Sequence, residues 1–89
     1  MYIFYYTYVL QSDKDNEFYV GYTQHLKLRF EEHCNGFVES TKNRRPLQII
    51  YYEACLDKKD SLQRGKYLKT VYGKITLRNR LKSYFNKSK

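Results

Sequence analysis

Two stretches near the start of the chain have the pattern of β-strands. Residues 2–11, YIFYYTYVLQ, are dense in aromatic and β-branched residues, and their near-continuous apolar character predicts a strand buried on both faces. The cluster SDKDNE at 12–17 has turn composition, and FYVGYT at 18–23 has the pattern of a second, shorter strand. Because the loop between them is short, the two strands are predicted to pair as an antiparallel hairpin.

The segment that follows has helical periodicity. We predict a helix over residues 24–37, capped by Thr23 and ended by Asn35-Gly36. Residues 38–46, VESTKNRRP, have the composition of a polar, basic loop closed by the only proline. The buried face of the predicted helix follows 3–4 spacing and comprises Leu26, Phe30, His33, Cys34 and Phe37.

A third strand and two further helices complete the pattern. LQIIYYEA at 47–54 is strand-like, and Asp57 or Asp60 can start a helix that runs towards Tyr72, with Gly73 as its stop. Residues 74–86 have the pattern of a final helix. Its inward positions are Ile75, Leu77, Leu81 and Phe85, and its outward positions are Lys74, Arg78, Arg80 and Lys82.

The order of elements is therefore ββαβαα, which predicts an α+β fold in which three helices pack on a three-stranded antiparallel sheet. A length of 89 residues predicts one domain over residues 1–89. The hydrophobic content of 42% suffices for one compact core. Because tyrosine tolerates half-burial, the 11 tyrosines can place phenols at a surface while the core keeps enough apolar side chains.

The formal charge of +8 is unevenly distributed. Residues 1–41 hold three basic and six acidic side chains, whereas residues 58–89 hold eleven basic side chains and one acid, Asp60. A segregated field of this kind attracts polyanions, of which nucleic acid is the commonest. The alternative is a solvated basic surface that serves solubility. An anionic membrane fits less well, because no segment pairs a basic face with a strongly apolar one.

The cysteine count and the N-terminal pattern set the expected compartment. Cys34 and Cys55 are far apart and lack metal-binding spacing, so neither a disulfide nor a zinc site is predicted. The N-terminal stretch lacks the layout of a signal peptide, and no apolar run approaches membrane-spanning length. The expected location is the reducing cytoplasm.

Four side chains could act together in catalysis. Tyr8 and Tyr19 lie on the paired strands, and Arg29 and His33 are four residues apart on the first helix. Arginine binds phosphate with two donors, and a histidine or phenolate can take a proton from water, so the set suits phosphodiester chemistry. Spacing alone also allows core aromatics, a structural histidine and a surface arginine.

The same residues resemble the GIY-YIG nuclease family, and the resemblance covers nearly the whole chain. It is carried by Tyr6-Thr7-Tyr8, then Tyr19-Val20-Gly21, then Arg29 eight residues after Gly21, and His33. The first tripeptide departs from the signature, since Tyr6 and Thr7 stand where the family has Gly and Ile. The rest of the chain is similar to small stand-alone bacterial members, which are related to the nuclease domain of the excision-repair subunit.

The resemblance implies a mechanism and a partner. One tyrosine, polarised by histidine, would activate water, and Arg29 would balance charge on the phosphate. Mg²⁺ (or Mn²⁺) would bind the scissile phosphate and stabilise the leaving oxygen. The implied partner is DNA, duplex or branched, with the form left open. A small single domain is expected to be a monomer, although cutting both strands would favour a pair of protomers.

In the family a single glutamate on the second helix holds the metal, and close relatives read Arg-Glu-Lys-x-Leu-Lys. Here the stretch is Arg64-Gly65-Lys66-Tyr67-Leu68-Lys69, so Gly65 stands at the metal-ligand position and supplies no carboxylate. Asn79 is a weaker match to a late asparagine of the family. Either the chain has naturally lost cleavage and kept binding, or glutamate was changed deliberately. Both alternatives predict weak or absent cleavage.

Three functions remain open at this point. The first is an endonuclease-type domain acting on DNA. The second is a nucleic-acid-binding module without chemistry, in which basic side chains contact phosphates. The third is a protein-interaction domain with a tyrosine-rich surface. The predicted phosphate contacts are Lys42, Arg44, Arg45, Lys66, Lys69, Arg78 and Arg80.

Overall fold

The computed structural model describes residues 3–87, so the start of the predicted first strand at Tyr2 and both ends of the predicted domain lie outside it. The strands are β1 (Tyr5–Ser12), β2 (Phe18–Thr23) and β3 (Leu47–Cys55). The helices are α1 (Leu26–Cys34), α2 (Lys58–Leu68), α3 (Val71–Arg80) and α4 (Lys82–Lys87), and a short 3-10 turn spans Lys42–Arg44.

The sheet has the order β2-β1-β3, and both pairings are antiparallel. This confirms the hairpin, the α+β class and the order ββαβαα. β1 is the central strand, which explains its apolar character on both faces: every residue from Thr7 to Leu10 is buried. Tyr8 and Leu10 face α1, whereas Val9 packs against α2 and α3.

The first helix is shorter than predicted. α1 begins after His25, because Thr23 uses its hydroxyl to accept the His25 N–H at 3.0 Å, and this bond falls ahead of the helix rather than within its first turn. The chain then turns at Gly36, whose φ is +79°. The predicted burial of Cys34 and Phe37 is therefore wrong. Both side chains are exposed, and Val38 fills the core in their place.

The second helix also ends earlier than predicted. Asp57 caps α2 as expected, accepting the Lys59 N–H at 2.8 Å. The helix stops at Leu68, not near Tyr72, because Thr70 caps a new helix by accepting the Gly73 N–H at 3.0 Å. Gly73 is therefore not a stop signal. It lies inside α3, where a Cβ would collide with the backbone of Tyr67 and Leu68.

The last predicted helix is two segments, α3 and α4, which meet at Leu81. Leu77 is buried and Leu81 and Phe85 are half-buried, as predicted, but Ile75 is 50% exposed, so its inward assignment is wrong. Both cysteines are free thiols. Among residues 3–87, no helix is long and apolar enough to cross a membrane.

Candidate functional site

The site centres on a hydrogen bond between a strand and a helix. The Tyr8 hydroxyl of β1 lies 2.8 Å from Nε2 of His33 on α1. Both side chains are buried, with 1% and 0% exposure respectively. Two residues predicted from the sequence are thus in direct contact, at the centre of the face between the sheet and α1.

Gly21 makes room for this contact. It is the cross-strand partner of Tyr8 in the β1–β2 register, and a Cβ at position 21 would overlap the Tyr8 ring and hydroxyl. The phenol therefore lies across the glycine backbone and extends towards α1. A larger residue at position 21 would displace Tyr8 from His33, which gives this motif glycine a structural reason.

His33 is held from its second nitrogen as well. Nδ1 lies 2.7 Å from the hydroxyl of Thr41, which is fully buried in the loop after α1. Burial, followed by the positive charge of Arg29, lowers the pKa of His33 to about 4. The imidazole is consequently neutral at pH 7, with its ring fixed between a phenol and a hydroxyl.

Arg29 lies beside the same phenol. Burial raises the pKa of Tyr8 above its ordinary value, and the Arg29 guanidinium opposes that rise, so the resting group is a neutral phenol next to a cation. Nη1 of Arg29 also donates to Oε1 of Glu32 at 3.1 Å in an ion pair that is partly open to solvent. An incoming phosphate would compete with Glu32 for this guanidinium.

Tyr19 completes the cluster from β2. Its ring centroid lies 5.3 Å from that of His33, at an interplanar angle of 62°, and the side chain is half-buried. The structure therefore brings Tyr8, Tyr19, Arg29 and His33 together, as the sequence predicted. The paired strands supply the phenols, and one side of α1 supplies the cation and the imidazole.

Solvent reaches this cluster at Arg29. A cavity of about 470 Å³ opens at the start of α1 and is lined by Arg29, Glu32, Tyr22 and Lys58, but not by Tyr8 or His33. A ligand entering this cavity would meet the guanidinium first. The Tyr8 side chain is buried, so a ligand in this cavity would reach its hydroxyl only after surrounding side chains had moved.

Gly65 lies on α2, on the other side of β1. A Cβ there would have only Thr7 Cγ2 within 4 Å, at 3.8 Å, so neither packing nor helix geometry requires a glycine. The Cβ of a larger residue at position 65 would therefore meet no steric conflict. Gly65 and Gly21 line the same cavity, of about 230 Å³, which connects position 65 with the strand backbone beneath Tyr8.

The described residues do not fit a divalent metal. Among residues 3–87, no three or more His, Cys, Asp or Glu side chains are grouped so that they could hold one. Glu53 is engaged by Tyr51 and by Nε of Arg64, each at 2.8 Å, and Asp57 caps α2. With glycine at position 65, the hard oxygen ligands that Mg²⁺ requires are missing.

The three basic side chains of the loop after α1 form local ion-pair and hydrogen-bond contacts. Lys42 pairs with Glu39 at 3.2 Å, and Arg44 donates to the carbonyl of Phe18 at 3.3 Å. Arg45 donates to the carbonyls of Lys42 and Cys34. A phosphate that binds these side chains, as predicted, would have to compete with these local bonds.

The remaining predicted basic residues lie on α2 and α3 and are exposed. Lys66 and Lys69 border the cavity beside Gly65. The Arg78 guanidinium lies over the rings of Phe18 and Phe85, at 5.3 and 5.5 Å, and Arg80 lines a different cavity, near Tyr51. Asn79 is exposed and lines none of the cavities described, so nothing in the structure links it to the Tyr8–His33 contact.

Sequence reasoning missed two side chains of the cluster, Thr41 and Glu32. Thr41 lies in an irregular loop, where no periodicity marks it as buried. Glu32 is three residues after Arg29, a spacing that favours an ion pair on a helix and could have identified it.

Comparison with known proteins agrees with this geometry. The family model described as the GIY-YIG catalytic domain matches residues 4–79. The chain belongs to the GIY-YIG family. Members of this family are generally nucleases that depend on divalent metal and act on nucleic acid.

Relatives that match include UPF0213 proteins of bacteria. A UPF0213 protein of Clostridium perfringens is 32% identical over 84 residues, which cover 93% of this chain and 85% of the relative. UPF0213 protein YazA of Bacillus subtilis is 37% identical over 65% of this chain and 60% of its own length. The solution NMR structure of a UPF0213 protein from Bacillus halodurans is similar with a TM-score of 0.53 at 25% identity, and the match covers 83% of this chain and 81% of that one.

Proposed function

We propose that this chain is a GIY-YIG endonuclease-type domain that acts on DNA phosphodiester bonds and is impaired in cleavage because position 65 lacks a carboxylate. The observation that carries the proposal is the Tyr8–His33 hydrogen bond beside Arg29, together with an open site at Gly65. The catalytic side chains are Tyr8, Tyr19, Arg29 and His33, and Gly21 supports them by accommodating the Tyr8 ring.

The assignment of roles follows from the charges. Arg29 binds the phosphate, because it lines the cavity at the start of α1 and lies beside the Tyr8 phenol. Tyr8 takes the proton of the attacking water as its own proton passes to Nε2 of His33. A pKa of about 4 makes His33 a weak proton acceptor at rest. A bound phosphate would raise that pKa by placing negative charge nearby and by neutralising Arg29.

Metal chemistry is the missing part. In the family a divalent ion supports departure of the leaving oxygen, and the described residues of this chain offer no ligand set for it. No step of the reaction is therefore assigned to a metal here. The proposal attributes the impairment to that single position, because the cluster on the α1 face has the side chains that the family signature requires.

The alternative function is a non-catalytic nucleic-acid-binding module. It is favoured by the same lack of a metal-ligand group, and by the excess of eleven basic side chains over one acid in residues 58–89. A role in excision repair, a cytoplasmic location and a monomeric state stay predictions from the resemblance and the composition.

The test is nicking of a supercoiled plasmid in Mg²⁺ or Mn²⁺. We expect Gly65→Glu to nick at least ~100-fold faster than the unchanged chain, the size of effect that one group stabilising transition-state charge has. The double variant Gly65→Glu/Tyr8→Phe should lose that gain, because the phenylalanine keeps the ring and removes only the hydroxyl.

Gly65→Gln is the matched control, since it has the size of glutamate without its charge and should remain as slow as the unchanged chain. If Gly65→Glu does not nick although all the chains bind DNA, the domain is the binding module. If Gly65→Glu/Tyr8→Phe nicks as fast as Gly65→Glu, the assignment of Tyr8 is wrong.

A further inference from the structure

A groove runs along β2, an edge strand of the sheet, where α2 and α3 face it. It consists of two adjoining cavities, one of about 230 Å³ beside Gly21, Tyr22 and Gly65, and one of about 260 Å³ beside Phe18 and Tyr19. The two cavities share Val20 and Lys69 in their linings, so they lie side by side. We call this feature the β2 groove.

The helical wall of the β2 groove is cationic. Lys66 lies on α2, Lys69 directly follows the last residue of α2, and Lys74 lies on α3; all three are exposed. None of the described residues that line the two cavities carries a carboxylate. Within residues 3–87, none of the three lysines forms an ion pair, in contrast to Arg29, Lys42 and Arg64. An anion entering the groove would therefore meet three unneutralised ammonium groups.

The strand wall of the same groove is aromatic. Phe18 and Tyr22 line it at two positions along β2, on the same face as Val20, and each is half-buried. Proteins that hold single-stranded nucleic acid combine these two properties, a basic track for the phosphates and aromatic side chains against which bases stack. Each cavity is smaller than the ~300 Å³ at which ligand pockets usually begin, so the groove suits a narrow chain.

We propose that the β2 groove binds a single strand of DNA, with its phosphates on Lys66, Lys69 and Lys74 and its bases against the aromatic wall. The proposal rests on the proposed function for its ligand, and it adds that the bound form is unpaired. The Tyr19 ring packs against His33 on the α1 face, so the groove and the Tyr8–His33 cluster lie on opposite faces of β2. Gly65 keeps the groove open, because it adds no side chain to its floor.

The experiment compares binding of a fluorescent oligothymidine of about a dozen nucleotides with binding of a duplex of equal length, across a range of salt concentrations. We expect the single strand to bind at least about fivefold more tightly, the effect of one stacked base. A plot of log K against log salt falls as salt rises, and each phosphate contact on a single strand contributes about 0.7 to the steepness of that fall. The triple variant Lys66→Gln/Lys69→Gln/Lys74→Gln should therefore make the fall shallower by about 2.

The matched control is Lys14→Gln/Lys27→Gln/Lys59→Gln, which removes the same charge at lysines that line neither cavity of the groove. Its slope should fall by less than about 0.7, the contribution of one contact. Equal losses in the two triple variants would overturn the groove, and equal affinity for the duplex would overturn the unpaired ligand. If no DNA binds even at low salt, the proposed function itself fails.

A second measurement locates the ligand on the unchanged chain. Titration of the ¹⁵N-labelled protein with the oligothymidine should shift the amide signals of Gly21, Gly65 and Lys69 most strongly. Shifts confined instead to the loop around Lys42 and Arg45 would place the strand elsewhere and reject the groove.

Discussion

The His33 side chain is fully buried and hydrogen-bonded at both ring nitrogens, to Tyr8 and to Thr41. Its partners are neutral, and the nearest cation, Arg29, disfavours a second positive charge. The folded chain therefore keeps the imidazole neutral at a pH at which a free histidine would bind a proton. This single residue links the integrity of the cluster to pH.

Protonation of His33 gives the first prediction at this scale. Its pKa of about 4 in the folded chain is below the ordinary 6.5, so the unfolded chain takes up the proton first as pH falls. The stabilisation is complete above about pH 6.5 and is lost progressively towards pH 4. Between pH 7 and pH 5, His33 should contribute a loss of about 2 kcal/mol in the free energy of unfolding.

Urea unfolding at the two pH values measures this loss. His33→Gln removes the titrating group and should abolish most of the difference, although it lowers stability overall. His25→Gln is the matched control, because His25 is exposed and no side-chain bond ties it to the cluster. An unchanged pH dependence in His33→Gln would mean that the buried imidazole is not the source.

The residue scale is also where the sequence predicted most of the site. Strand pairing and helical spacing, which are local rules, place Tyr8, Tyr19, Arg29 and His33 near one another, and the resemblance to the GIY-YIG family selected these four. Thr41 does not, because its position depends on how the loop after α1 folds back onto His33. A residue placed by an irregular loop leaves no periodic signal in the sequence.

At the scale of elements, the junction of α2 and α3 is determined by a cap and a glycine. Thr70 accepts the Gly73 N–H, and Gly73 allows the first turn of α3 to lie against the end of α2 at Tyr67 and Leu68. The sequence predicted a long helix here because residues 58–72 show no proline or obvious break. Gly73 was interpreted as a stop, since a glycine required for close packing looks the same in sequence as a glycine that ends a helix.

Two glycines of the helical half should respond to alanine in opposite directions. Gly73→Ala should lower the free energy of unfolding by about 1–3 kcal/mol, because the new Cβ meets backbone atoms that cannot move aside. Gly65→Ala should raise it by about 0.5–1 kcal/mol, because the helix gains a better helix former and the Cβ meets only Thr7 at 3.8 Å.

Urea denaturation of the two variants beside the unchanged chain tests both signs in one experiment. Each variant is the control for the other, since both changes add one methyl group to a helix of the same domain. Destabilisation by Gly65→Ala would show that position 65 is packed more tightly than the structure describes, and it would weaken the case that a glutamate fits there.

At the scale of the whole molecule, the fold packs the mainly acidic N-terminal part of the chain and the strongly basic C-terminal part around one small sheet. The catalytic candidates come from the N-terminal half, on the face that packs α1, and the three groove lysines come from the basic C-terminal half, on α2 and α3. The β2 strand is the element that both share. Composition predicted an anionic partner, but it could not give the location of the basic groove, which depends on α2 and α3 lying along β2.

The last prediction concerns the number of chains that act together. A charge of +8 on 89 residues repels a second copy, so we expect a monomer by light scattering at moderate salt. One chain offers one Tyr8–His33 cluster and one β2 groove, and it can hold one strand at a time. The Gly65→Glu chain should therefore convert a supercoiled plasmid to open circles, and linear DNA should accumulate only after many nicks. Linear product that forms together with the first open circles, with a rate that rises as the square of protein concentration, would instead indicate a pair of protomers cutting both strands.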